Sequence, residues 1–329
     1  MISPRSQFID LMEQGAIPMK KIGDALKATR VAPNGKAWRT FIDQLLLWIG
    51  GLALAFAVLF FIAYNWDDIG RFAKFGMVEG LIVLAIVVFC TVGHHTAAGK
   101  MSLLFATICL GVLLALYGQT YQTGADPWQL FFSWAMLMLP WAIIGRFPAI
   151  WIVWVMLLNI SLILYYQTFG GILWLMTGSE TGVPWLTFIL NTLLLIAWEF
   201  ITATRQWLSE RWPVRLLATA GGVPLTWLVL RSIFVYDNGT FLSELPALAA
   251  LVWAIWLAVM YVVYRRTKPD LFMLAGCCLS GITVVISYLG KHMLEDGSAG
   301  SFLVLSLMVV GMGAGAAYWL KNVHRECQS

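Results

Sequence analysis

The chain has 329 residues, of which 60% are hydrophobic and only 12% are charged. Soluble domains are about half apolar and about a quarter charged, so this composition excludes a water-soluble fold. A helix needs roughly 20 apolar residues to cross a bilayer, and about ten such helices would use about 200 residues and leave short loops. Composition and length therefore predict an all-α, polytopic transmembrane helical bundle of about ten helices.

Residues 1–40 differ from the rest of the chain because they are hydrophilic and basic. Two short amphipathic patterns, at 4–14 and 18–29, predict a cytosolic helical hairpin. This hairpin either binds a cytosolic partner through residues 1–36 or lies against the membrane face. The apolar run that follows is too long for a signal peptide and lacks a small-residue cleavage site, so we expect insertion without cleavage.

The apolar runs after the hairpin are each long enough to span a bilayer, and each ends at Gly, Pro, Asn or a charged residue. They predict a transmembrane bundle over 41–320, followed by a cytosolic tail over 321–329. A further apolar segment, 169–183, is too short to span, which leaves a loop, an interfacial turn or a re-entrant segment open. The predicted spans are 41–64, 74–92, 101–118, 128–145, 148–167, 184–203, 214–233, 245–264, 270–290 and 300–320.

Basic residues indicate the orientation of the spans, because cytoplasmic loops are enriched in Lys and Arg. With the N-terminus inside, 4 of the 21 Lys and Arg residues lie outside (Arg71, Lys74, Arg231 and Lys291) and the other 17 lie inside. This asymmetry predicts an even number of spans, with both termini in the cytoplasm. It also accounts for the net charge of +4 without a nucleic acid partner.

Two carboxylates lie inside predicted spans, Glu79 in the second and Glu199 towards the cytoplasmic end of the sixth. An ionisable side chain within a span costs about 2.5 to 3.5 kcal/mol on insertion scales and usually faces the bundle interior. Either carboxylate could therefore bind a proton or a cation on a solute pathway. The alternative is that both lie close enough to a helix end to reach water.

The densest polar segment is 117–128, predicted to lie on the outer side between the third and fourth helices. Its glycines and its proline permit a non-helical backbone. Gln119, Tyr121 and Gln122 offer neutral donors and acceptors, and Asp126 adds one carboxylate. We interpret the segment as a binding or gating loop. The competing interpretation is an ordinary loop whose polar groups satisfy freed helix ends.

Other polar and small residues within the spans are typical of helix contacts. Asn159, Gln167 and Asn191 are expected to form hydrogen bonds between helices. Gly311 and Gly315 have a spacing that permits close approach of another helix, either within the chain or in a homo-oligomer. Ten spans also permit two inverted sets of five, as in many secondary transporters. The two halves show no convincing similarity, so irregular packing is the alternative.

The sequence carries no signature of catalysis or of cofactor binding. It has no glycine-rich phosphate loop, no His-Glu-x-x-His and no Gly-x-Ser-x-Gly elbow. His94 and His95 are adjacent rather than helically spaced, so they are not expected to bind a metal ion. Four of the five cysteines fall in apolar runs, which argues against a disulfide framework. No cofactor and no metal are predicted, and an enzyme is the least favoured class.

Two stretches of the N-terminal half carry a family resemblance. The first is Asn65-Trp66-Asp67-Asp68-Ile69 with Arg71-Phe72-Ala73-Lys74. The second is Tyr117-Gly118-Gln119-Thr120-Tyr121-Gln122, followed by Asp126 and by Leu130-Phe131-Phe132-Ser133-Trp134-Ala135. Together they resemble the bacterial predicted membrane proteins called domain of unknown function 2157. The resemblance covers the hairpin and the first four or five helices and implies a multi-pass protein of the bacterial cytoplasmic (inner) membrane. It implies no activity and no site residue.

The leading functional hypothesis is a transporter or permease for a small solute. The alternative is a membrane-anchored structural or signalling component that acts through the N-terminal hairpin. The residues predicted to lie at or near a solute pathway are Glu79, Gln119, Tyr121, Gln122, Asp126 and Glu199.

Overall fold

The structure is a computed structural model that describes residues 35–65, 69–169, 179–234, 245–293 and 299–326, together with Leu11, Met12, Ala16 and Pro18. These residues form helices and the turns between them, with no strand among them. The predicted N-terminal hairpin lies largely outside the described residues, as does most of the segment 169–183.

Ten helices within the described residues are long and apolar enough to cross a membrane. We number them α1 (Gly35–Tyr64), α2 (Arg71–Val92), α3 (Ala97–Tyr121), α4 (Pro127–Gly145), α5 (Pro148–Phe169), α6 (Ser179–Thr202), α7 (Trp212–Phe234), α8 (Leu245–Val262), α9 (Leu271–Met293) and α10 (Ala299–Glu326). A 3₁₀ turn, Gln206–Leu208, precedes α7, and a π-helical turn, Val263–Thr267, extends α8. The predicted all-α bundle with ten candidate spans is confirmed.

Several helices continue past the ends predicted from hydropathy. α1 begins at Gly35, within the segment predicted as a hairpin, and α10 continues through Glu326 into the predicted tail. α3 reaches Tyr121, and α6 already begins at Ser179. A helix satisfies its backbone hydrogen bonds internally, so it need not stop where the side chains become polar. The last residues of 169–183 are therefore part of α6 and not of a loop.

The chain divides into two compact units, Met1–Thr120 and Tyr121–Cys327. The first unit contains α1, α2 and nearly all of α3, and the second contains α4 to α10. This division into three and seven helices differs from the division into five and five that an inverted repeat would give.

Neighbouring helices of the second unit pack side by side, with α6 against α7 and α9 against both α7 and α10. One apolar cluster, which includes Leu195, Leu217 and Leu274, lies towards the C-terminal end of α6. A second cluster, which includes Phe188 and Val284, lies towards the opposite end. Because consecutive helices run in opposite directions, the end of α6, the start of α7, the end of α8 and the start of α9 meet at one end of the unit.

The contact between α7 and α8 depends on Gly222. A Cβ atom at this position would lie 2.7 Å from Cη2 of Trp256. We expect Gly222→Leu to displace the indole ring and to lower the melting temperature of the purified protein, since overpacking costs about 1 to 3 kcal/mol. Gly281→Leu is the matched control, because a Cβ atom there has no neighbour within 4 Å. Equal melting temperatures for the two variants would contradict this packing.

Candidate functional site

The structure places Glu79 on an exposed face of α2, about two turns from the start of the helix. It makes no hydrogen bond or ion pair with another described residue. The side chain of Glu79 is therefore not packed inside the first unit. A contact of Glu79 with a solute stays a prediction.

The polar segment 117–128 is more helical than predicted. α3 includes both Gln119 and Tyr121, and the helix ends where Gln122 takes a left-handed backbone with φ of 43°. Gln119, Tyr121 and Gln122 are exposed. Asp126 is partly buried and precedes α4, where its side chain forms no capping hydrogen bond. Only residues 122–126 are non-helical, so the interpretation of the whole segment as a loop is corrected.

Glu199 lies in the last turn of α6 and belongs to a cluster of charged side chains. Its Oε1 accepts hydrogen bonds from Arg211 Nη1 at 2.9 Å and from the Tyr264 hydroxyl at 3.0 Å. Its Oε2 pairs with Lys268 Nζ, and the same ammonium group donates to the Glu199 carbonyl at 3.3 Å. The carboxylate is thus neutralised by two cations from other parts of the chain.

Asp270 provides the second carboxylate of this cluster. Its side chain is only 2% exposed, and its Oδ2 accepts from Arg211 Nε at 3.3 Å and from Arg215 Nε at 3.2 Å. Its Oδ1 accepts from the backbone N–H of Phe272 at 3.1 Å and so caps α9. Arg211 therefore connects Glu199 on α6 with Asp270 at the start of α9.

The cluster has an excess of positive charge, because Arg211, Arg215 and Lys268 face two carboxylates. Burial by itself lowers the pKa of Arg211, but the charges and hydrogen bonds of Glu199 and Asp270 raise that pKa above its ordinary value. The guanidinium therefore stays charged. The guanidinium of Arg211 also lies 5.6 Å from the ring centroid of Tyr264. We call these six residues, including Tyr264, the ion cluster.

Glu199 is the one residue of the ion cluster that was predicted from the sequence as a site residue. Arg211, Arg215 and Lys268 entered the prediction only as basic residues that indicate orientation, and Asp270 was not selected. One pattern could have indicated the site: Arg211 and Arg215 are four residues apart at the start of α7, and Asp270 follows Pro269 directly before α9. Acidic helix caps and helically spaced arginines are both recognisable in a sequence.

Asn159 on α5 and Asn191 on α6 form a reciprocal amide pair. Asn191 Nδ2 donates to Asn159 Oδ1 at 2.7 Å, and Asn159 Nδ2 donates to Asn191 Oδ1 at 3.2 Å. The remaining amide protons bond to the carbonyls of Thr187 and Val155. The predicted hydrogen bond between these two helices is therefore present.

Two cavities in the second unit lie beside α7, whose residues Val223 and Trp227 line both of them. The amide cavity, of about 570 Å³, is bounded by α5, α6 and α7 and contains the Asn159 and Asn191 pair. The hydroxyl cavity, of about 530 Å³, is bounded by α7, α8 and α9. It contains Thr226 and Ser280, whose hydroxyl oxygens are 2.7 Å apart. Most of the other side chains that line both cavities are apolar.

A third cavity of about 630 Å³ lies at the opposite end of the unit from the ion cluster, beside Lys291 and His292. The ammonium group of Lys291 donates to the carbonyl of Ile233. None of the six predicted pathway residues lines any of the three cavities. Among the described residues, no group of three His, Cys, Asp or Glu side chains could hold a metal ion.

Comparison with known proteins concerns mainly the first part of the chain. Residues 10–151 match the model of a predicted membrane protein family, DUF2157. The resemblance stated from the sequence is confirmed. No curated protein and no solved structure matches the chain. The match to DUF2157 ends near the start of α5, so the ion cluster and all three cavities lie beyond the matched residues.

The ion cluster is expected to contribute to the unfolding free energy. Asp270→Ala removes the carboxylate that accepts hydrogen bonds from two arginines, and it also removes the cap of α9. We expect a loss of about 3 kcal/mol, the low end of the range for breaking a buried pair, because the Arg211 and Arg215 side chains are 29% and 41% exposed. Unfolding in mixed micelles measures the loss.

Two companion variants show whether the loss comes from the ion cluster. Asp270→Asn keeps an oxygen to cap α9, so its loss should be smaller than that of Asp270→Ala. Asp126→Ala should leave stability unchanged, because Asp126 forms no cap bond. If Asp126→Ala lowers the unfolding free energy as much as Asp270→Ala does, the ion cluster is not the cause of the loss.

The amide pair makes a separate prediction. Single Asn159→Ala and Asn191→Ala variants and the double variant form a thermodynamic cycle. We expect a coupling energy of about 1 kcal/mol, which is ordinary for hydrogen bonds between membrane helices. Strictly additive losses of unfolding free energy would mean that the pair does not stabilise the contact between α5 and α6.

Proposed function

We propose that this membrane protein is permease-like and carries a small, largely apolar solute that has one N–H or O–H group. The observation that supports this proposal best is the amide cavity, in which apolar walls surround the Asn159 and Asn191 pair. A volume of about 570 Å³ lies within the usual range for small-molecule sites, about 300 to 1,000 Å³. Few polar groups among apolar walls are also typical of such sites.

The hydrogen bonds of the amide pair indicate which group the solute carries. Both protons of each side-chain amide are already donated. Each amide oxygen has two lone pairs and accepts one of these bonds, so it keeps capacity for one more. A solute at this site must therefore donate a hydrogen bond.

Two helices beside the cavity contain a proline. Pro184 in α6 and Pro224 in α7 both line the cavity. A proline has no N–H, so the carbonyl four residues earlier loses its helical donor. For Pro224 that carbonyl belongs to Ala220, which lines the same cavity. Hydrophobic segments that contain such prolines are a sequence pointer to the binding sites of secondary transporters, which supports a permease over an inert bundle.

The cavity opens to the outside of the second unit between its helices, and not at a helix end. Its lining residues Met156, Leu216 and Val223 are each about half exposed or more. A solute would therefore enter through the side of the second unit. The proposal places the solute at the amide pair, and it gives the six pathway residues predicted from the sequence no contact with the solute.

The proposal is tested by amide permeation. Purified protein is reconstituted in vesicles, and the entry of butyramide, a neutral amide with N–H donors, is followed by stopped-flow light scattering. We expect faster entry than into protein-free vesicles. Ala220→Phe should abolish the increase, because it places a ring in the mouth of the cavity at an exposed position.

Ala258→Phe is the matched control for this experiment. Ala258 is also exposed and lies on α8, away from the three cavities. This variant should keep the full rate. Equal rates for Ala220→Phe, Ala258→Phe and protein-free vesicles, over a series from acetamide to hexanamide, would refute the proposal.

A second candidate function is a membrane-anchored structural or signalling component that assembles into a homo-oligomer. The supporting observation is that the most apolar stretch of α10 contains no buried residue. A Cβ atom at Gly311 or Gly315 would have no neighbour within 4 Å, which leaves room for a second copy. In this candidate, a cytosolic partner would bind residues 1–36.

We also propose the bacterial inner membrane as the location, with both termini in the cytoplasm. The 17 to 4 distribution of Lys and Arg supports this orientation. In that orientation the ion cluster lies on the cytoplasmic side and the third cavity on the outer side.

A further inference from the structure

The hydroxyl cavity begins directly beside the ion cluster. Phe272 lines the cavity, and the guanidinium of Arg215 lies 5.5 Å from the centroid of its ring. Thr219, on the α7 side of the cavity, donates a hydrogen bond to the Arg215 carbonyl at 2.8 Å. The guanidinium of Arg215 therefore lies against Phe272, one of the residues that line the cavity.

The length of this cavity corresponds to one leaflet of a bilayer. Its lining residues on α9 extend from Phe272 to Thr283. Eleven residues of α-helix rise about 16 Å, which is about half the thickness of the hydrocarbon core. The exposed lining residues Val223 and Leu279 show that the cavity opens on the outer surface of the unit. An extended hydrocarbon chain fits this shape better than a compact solute does.

The ion cluster has donors that its carboxylates do not use. Arg215 bonds to Asp270 through Nε, and its two Nη groups make no hydrogen bond to another described residue. The Arg215 and Lys268 side chains are 41% and 40% exposed, so both reach the surface. With three cations against two carboxylates, the cluster is electrostatically complementary to one more anion.

We propose that an anionic phospholipid binds at this place. Its phosphate pairs with Arg215, the positive charge of Lys268 adds to the attraction, and one acyl chain lies in the hydroxyl cavity. Basic pockets between membrane helices are a common way of binding acidic headgroups. This lipid site is separate from the amide cavity and does not depend on the proposed solute.

The experiment uses the full chain, purified in detergent and delipidated. Phosphatidylglycerol or phosphatidylcholine is titrated in, and bound lipid is counted by native mass spectrometry. We expect phosphatidylglycerol to bind more tightly. Arg215→Gln should weaken its binding about fivefold, the effect of about one basic group beside an anionic lipid. Arg266→Gln is the control, because Arg266 is exposed and lies outside the ion cluster.

The acyl chain is tested by filling the cavity. Gly276 lines the hydroxyl cavity, and a Cβ atom added to it would have no neighbour within 4 Å. Gly276→Leu should therefore weaken phosphatidylglycerol binding without a clash at Cβ. Gly281→Leu lies on the same helix, also in open space but outside the cavity lining, and should bind as the unmodified protein does. Melting temperatures show whether each variant is folded.

The possible outcomes decide the proposal. Equal binding of the two lipids, or equal weakening by Arg215→Gln and Arg266→Gln, would overturn a specific headgroup site. Unchanged lipid binding by Gly276→Leu, with inorganic phosphate competing as well as the lipid does, would replace the lipid by free phosphate. If Arg215→Gln fails to fold, Lys268→Gln and the two glycine variants still decide. Ala220→Phe should bind phosphatidylglycerol normally, which keeps this test independent of the amide permeation test.

Discussion

The carboxylate of Asp270 is buried and charged, and a charge removed from water needs partners of opposite sign. Arg211 and Arg215 supply them from the start of α7, and Arg211 also pairs with Glu199 at the end of α6. Lys268 and Tyr264 connect the same Glu199 to the end of α8. Four helix ends are therefore held at one level, and sliding any of these helices would break an ion pair.

Hydrogen bonds between helices are one of the forces that hold membrane helices together. Lipid tails are as apolar as leucine, so the association of membrane helices cannot rely on the hydrophobic effect. The polar contacts between helices of the second unit include the ion cluster, the Asn159 and Asn191 pair, and the hydroxyl pair of Thr226 and Ser280. Trp253 Nε1 donates to the Ser280 hydroxyl at 2.9 Å and adds α8 to the last of these. Each contact specifies a register that apolar packing alone leaves undetermined.

The same polar contacts give each cavity its chemical character. The two cavities lie beside α7, whose residues Val223 and Trp227 line both of them. The Asn159 and Asn191 pair lines one cavity, and the Thr226 and Ser280 hydroxyls line the other. The two cavities beside α7 therefore differ in the polar groups that they contain.

The sequence by itself determined the class of protein and the ten helices, and it selected Asn159 and Asn191 as polar residues that bond between helices. Hydropathy and chain length suffice for the helices, because a backbone in lipid must satisfy its own hydrogen bonds. Only the tertiary structure decided which of the charged residues are paired with residues of opposite charge. Glu199 was visible as a charge in a span, but its partners come from two later segments: Arg211 from the start of α7, and Tyr264 and Lys268 from the end of α8. Glu79 had the same sequence signature and lies on an exposed face instead. Hydropathy records the cost of placing a charge in a span, whereas the packing of distant segments determines whether that charge is neutralised.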